Sequence, residues 1–131
     1  MREGHMDFLF LPLMECDLVR YILYNVSESE KFKSIDQQYN SLYADLKRIF
    51  GMSFNMTAAF MLYDNVLCDL DDGKYINAQL TEAILSELNK LTVDFWKHYV
   101  FADERVRKIC NTHMFGEWIK IMNNVVEADK R

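Results

Sequence analysis

The sequence predicts an all-α protein, a compact assembly of about five helices. Three observations carry that expectation. Four Gly and one Pro in 131 residues leave few of the residues that the many turns of a β architecture consume. Apolar residues recur at steps of three and four, the spacing that lines one face of a helix. Capping residues stand where those patterns begin and end. Half of the residues are hydrophobic and 14% are aromatic, enough to fill a core and too much for a disordered acidic tail.

Met1–Met6 has no pattern of its own. Gly4-His5-Met6 reads as a cloning scar with a second start at Met6, so residues 1–6 are set apart and 7–131 are read as a single helical domain. Phe8 to Leu11 leads into Pro12 and reads as extended, because a residue before proline avoids the helical region. The first helix is expected from about Leu13 to Tyr24, with Leu18, Val19, Ile22 and Leu23 on its apolar side.

Ser27-Glu28-Ser29-Glu30 offers hydroxyl caps and carboxylates for the unpaired N–H groups of a second helix. Phe32, Ile35, Tyr39, Leu42, Leu46, Ile49 and Phe50 then form one stripe, ended by Gly51. A third helix begins near Asn55 or Met56, with Phe60, Tyr63, Val66, Leu67 and Leu70 as core candidates, and Asp71-Asp72-Gly73-Lys74 turns the chain. The fourth runs from about Asn77 to Tyr99 through Leu80, Ile84, Leu85, Leu88, Leu91, Phe95 and Trp96. Asp103 can cap a fifth, which carries Val106, Ile109, Cys110, Trp118, Ile119, Met122 and Val125. Gly116 weakens its middle by about 1 kcal/mol relative to Ala, which leaves both a continuous helix and a break near Met114–Gly116 open.

The net charge of −5 argues against nucleic acid as the main partner, since phosphate binding wants a basic face. The longest apolar run, Phe8 to Met14, is too short to span a bilayer and lacks the flanks of a signal peptide.

No phosphate loop, dinucleotide fingerprint, HExxH or GxSxG occurs, and no cofactor is implied. Cys110-x-x-His113 could supply two metal ligands. The remaining soft ligands (Cys16, Cys68, His5 and His98) match no standard zinc spacing, and the pair reads as a buried thiol beside an imidazole. From Asp69, a calcium loop would need an oxygen ligand at Gly73 and a Glu at Leu80, so Asp69-x-Asp71-Asp72-Gly73 reads as an acidic solvated turn. His5, His98 and His113 are scattered, and nothing joins any of them to a nucleophile. The sequence therefore nominates no catalytic, cofactor or metal residue. Asn25-Val26-Ser27 and Asn55-Met56-Thr57 both fit the N-glycan acceptor pattern. With three Cys, an odd number, they lean towards a glycoprotein of the secretory pathway; a reduced cytoplasmic protein is the alternative.

One further pattern lies in the order of the elements. An apolar stretch runs through Pro12 to Cys16, a helix is entered at Ser29-Glu30-Lys31-Phe32, and Tyr63-Asp64 stands shortly before Cys68-Asp69. A long Leu-rich helix from Leu80 to Tyr99 follows, and then a return helix from about Met114 to Val126. Over residues 8–126 this order resembles the helical cap subdomain of the branch-2 histidine phosphatases, the prostatic and lysosomal acid phosphatase group. The match departs at Asp17, where a Pro often stands, at Tyr75-Ile76-Asn77, where Pro-x-Trp is expected, and at Gly116, in place of a Gly pair. The resemblance implies a cap inserted in an α/β phosphatase core, gating substrate access and inactive alone. The family's Arg-His-Gly-x-Arg motif and His-Asp pair do not occur here. It also implies that Cys16 and Cys68 bond partners beyond the cap and that the parent is lysosomal or extracellular. The alternative expectation is an independent helical interaction module that receives a partner helix. A cap without its core should show one contiguous apolar patch and self-associate through it; a module should show a groove between two helices; an enzyme should show polar groups converging in a pocket.

Overall fold

The computed structural model describes residues 16–129, without the side chains of residues 113, 114 and 129. The expected scar, the extended run to Pro12 and the start of the first helix at Leu13 lie outside the described residues. Those described are all-helical, with six α-helices, one π-helical turn and no strand among them.

Helix α1, Asp17–Glu28, opens with Asp17 paired to Arg20 and buries Val19 and Ile22. It runs four residues past the predicted Tyr24. Helix α2, Glu30–Gln37, is capped by Ser29, whose Oγ accepts the Phe32 N–H at 3.2 Å.

The long second helix expected on either side of Tyr39 is instead two. The Gln38 and Tyr39 N–H groups reach the carbonyls of Ile35 and Asp36, three residues back, at 3.1 and 3.0 Å. That shortened register ends α2 before α3, Asn40–Phe50, begins. The break serves Tyr39, which is buried, with its hydroxyl on Asp94. Helix α3 buries Leu42 and Leu46 and closes on Gly51, as the sequence predicts, with φ +72° and its N–H on the Lys47 carbonyl at 2.8 Å.

Asn55 caps α4, Met56–Asp71, by accepting the Ala58 N–H at 2.9 Å. Its buried residues are Met56, Ala59 and Val66, while Leu67 and Leu70, predicted for the core, are exposed. The turn at Gly73 is present.

Helix α5, Glu82–Phe95, starts five residues after the predicted Asn77. The Asn77 side chain accepts the Gln79 N–H at 2.9 Å and its carbonyl accepts that of Leu80, which makes a turn of this stretch, and Thr81 is the true cap. Leu88, Leu91 and Phe95 are buried, and the helix widens into a π turn over Trp96–Val100.

Asp103 does cap the last helix: its Oδ1 accepts the Arg105 N–H at 2.8 Å, and its carboxylate takes the Arg105 guanidinium in two further bonds that hold the acid down at about 2. Helix α6, Glu104–Asp129, then runs unbroken through Gly116, so of the two options the continuous helix is the one formed.

These elements pack as two units. Among the described residues, one comprises 16–26 and 101–129; the other is Ser27–Val100. In the first, Val19 and Ile22 of α1 meet Val106 and Cys110 of α6, flanked by Cys16, Leu23, Val26, Phe101 and Ile109. In the second, α4 packs along α5 and α3 touches α5. An aromatic group anchors this unit: Phe60 stacks on Phe95 at 4.3 Å, and Trp96 and Tyr99 close on Phe95 at 5.7 and 5.4 Å.

Two glycine substitutions should have opposite signs. Gly116→Ala meets nothing within 4 Å and is expected to stabilise α6 by up to about 1 kcal/mol. Gly51→Ala forces a side chain into the left-handed region and should cost about 1–2 kcal/mol. Urea midpoints of both variants check this; a gain at Gly51 would contradict the assigned backbone.

Candidate functional site

The least satisfied surface among the described residues is on α6. Phe115, Trp118, Ile119, Ile121, Met122, Val125 and Val126 are each 52–63% exposed. At about 100° per residue these seven fall within an arc of about 160°, and Gly116, Glu117, Lys120, Asn123, Asn124 and Glu127 fill the other side. Glu117 and Lys120 pair there at 2.7 Å.

This corrects an expectation: Trp118, Ile119, Met122 and Val125 are not core. The reason is angular. Val106, Ile109 and Cys110, which pack with α1, centre on a direction about 150° away from the later stripe. A continuous helix cannot lay both stripes on one neighbour, so the second half of α6 is left bare, with Phe115 and Trp118 edge to face at 5.5 Å.

Two depressions lie in the second unit. A groove of about 210 Å³ lies between α3 and the start of α5, floored by Leu42 and Ile84 and rimmed by Asp45 and Glu87. A cleft of about 310 Å³ is lined by Ser27, Phe32, Asp36, Asn55, Met56, Thr57 and Tyr99. The Phe32 and Tyr99 rings stand 5.4 Å apart in its wall. Asp36 already accepts the Tyr43 hydroxyl at 2.7 Å. A similar bond joins the Tyr39 hydroxyl to Asp94 at 2.5 Å, and His98 Nε2 lies 3.8 Å from the other Asp94 oxygen. These polar groups hold helices together and converge on no nucleophile.

The tyrosines give the unit a pH signature. Burial first, then the bonded Asp94, raises the Tyr39 phenol above its ordinary range; burial and Asp36 do the same for Tyr43, and burial alone for Tyr99. The folded chain therefore keeps protons that the unfolded chain releases near pH 10. The contribution is intact below pH 10 and is lost as pH rises beyond it. The thermal midpoint should fall between pH 10 and 11.5, and less steeply in Tyr39→Phe/Tyr43→Phe. An equal slope in that variant would contradict this origin.

The remaining sequence candidates are dispersed. Cys110 is buried, which pushes its thiol up, and the His113 side chain lies outside the described residues. Cys16 is half-buried and Cys68 exposed; none of the three cysteines is paired. Among the described residues no group of three His, Cys, Asp or Glu could hold a metal ion. In the acidic turn, Lys74 Nζ reaches Asp72 at 2.9 Å and Asp69 at 3.5 Å, so an ammonium stands where a calcium loop would hold its ion. No described helix is long and apolar enough to cross a membrane.

Sequence reasoning missed the Tyr39–Asp94 bond, since partners 55 positions apart leave no local trace. Asp36 and Tyr43 belong to different helices and meet across the break at Gln38–Tyr39. On the one long helix the sequence suggests they would stand about 10 Å apart along the axis, so this bond was hidden with the break.

Compared with family models, curated proteins and solved structures, the chain has no match.

Proposed function

We propose that the chain is a docking domain: the helical cap of a histidine phosphatase, seated on an α/β core through the bare face of α6. There it would restrict which phosphomonoesters reach the catalytic site and help exclude water from it. The observation that supports this reading is the apolar stripe of α6. It falls on the segment that the resemblance casts as the return helix to the core, and an exposed patch is what a cap without its core should carry. At roughly 100 Å² for each of seven half-exposed side chains, the stripe offers about 700 Å², close to one partner's share of a standard interface. The catalytic motifs are absent from the 131 residues, so the chemistry belongs to the partner body. A cap of net charge −5 would disfavour polyphosphates and admit monoesters with neutral or cationic bodies, within the 8–10 Å over which salt leaves charge felt.

The groove between α3 and α5 supports a second reading, an independent module receiving a partner's side chains between its helices. A hydrolysis assay separates the two. The 131-residue chain alone should leave p-nitrophenyl phosphate intact, and the full product of its gene should hydrolyse it at acid pH. Hydrolysis by neither favours the module; hydrolysis by the chain alone contradicts both.

A further inference from the structure

The docking role makes no use of the two acceptor triplets, and the structure sets them apart. Asn25 lies within α1 on helical backbone, Val26 packs against the core of its unit, and Ser27 is half-buried. Asn55 ends the irregular stretch 51–55 with extended backbone (φ −123°, ψ −179°), and both it and Thr57 are exposed. An acceptor asparagine belongs on surface loop backbone. Both asparagines are exposed, but Asn55 closes a loop just ahead of Met56 and Thr57 in the first turn of α4, whereas Asn25 is inside a helix with its hydroxyl residue half-buried. The Asn55 cap uses only Oδ1. An N-linked sugar keeps the amide carbonyl and occupies Nδ2, so the attached chain leaves the α4 cap in place. Beside Asn55 the cleft presents the rings of Phe32 and Tyr99 and the Asp36 carboxylate, an apolar wall and an acceptor suited to the first hexosamine ring.

We infer that Asn55 is the acceptor of an N-linked oligosaccharide and that Asn25 is not. In the transfer, Asn55 Nδ2 bonds to the anomeric carbon of an oligosaccharide carried on a lipid diphosphate. The carbon–oxygen bond to the diphosphate breaks, the lipid diphosphate leaves with the electron pair, and Nδ2 gives up one proton to the transferase.

The test is translation of the full chain behind a cleavable signal peptide, with rough microsomes, read as gel mobility before and after peptide N-glycosidase. The wild type should shift by one glycan. The shift should survive Asn25→Gln, vanish in Asn55→Gln and Thr57→Ala, and return in Thr57→Ser. Thr57→Ala keeps the Asn55 cap, so its loss of the shift reports the acceptor rather than the fold. No shift, two glycans, or a shift lost in Asn25→Gln would each overturn the inference.

Discussion

Phe95→Ala is expected to cost about 3–5 kcal/mol and to lower the thermal midpoint of the Ser27–Val100 unit by more than 10 °C. Phe95 is 5% exposed, lies face to face with Phe60 and contacts Trp96 and Tyr99 edge-on or tilted. Truncation removes the ring at the centre of that group and leaves a cavity that its rigid neighbours cannot close. A small domain holds only about 5–15 kcal/mol in total, so the loss is a large share of it. Phe95→Leu keeps most of the volume and should cost clearly less. Chemical denaturation followed by circular dichroism measures both; a cost below about 1 kcal/mol for the alanine variant would remove Phe95 from the centre of the unit.

The second large effect is on solution behaviour. Without another body on α6, the apolar stripe should drive chains together, and the wild type should sediment as species heavier than one chain. Trp118→Glu with Met122→Lys places two charges in the middle of the stripe while contacting none of the α1 packing at Val106 and Cys110. This variant should run as a monomer with unchanged helicity and unchanged thermal midpoint. A wild type that is monomeric at 100 μM, or a variant that loses helix content, would show that the stripe is not an unpartnered surface.

The fold class was legible because most of its signals are local. Gly51 at the end of α3, Asn55 at the start of α4 and Asp103 before α6 act through hydrogen bonds within a few residues, and each stands where the sequence predicts it. Asn77 and Thr81 are both competent caps; the one nearer the buried Leu88 and Leu91 won, and the other became a turn. The break at Tyr39 had no local cause to read, because its reward is a partner on α5. The α6 stripe shows the limit most clearly. Its residues were legible as apolar and helical, but spacing does not say what an apolar face meets. Only the change of direction between Cys110 and Phe115 separates the half that packs on α1 from the half that stays bare, and that phase could have been read from the sequence by plotting the whole helix at 100° per residue.

If α6 seats this chain on a phosphatase core, as proposed, the transcript on both sides of these codons should read as one continuous frame with Arg-His-Gly-x-Arg encoded upstream and a His-Asp pair downstream, and sequencing it is the decisive measurement. Stop codons close on both sides, or an open frame lacking both motifs, would contradict the proposal.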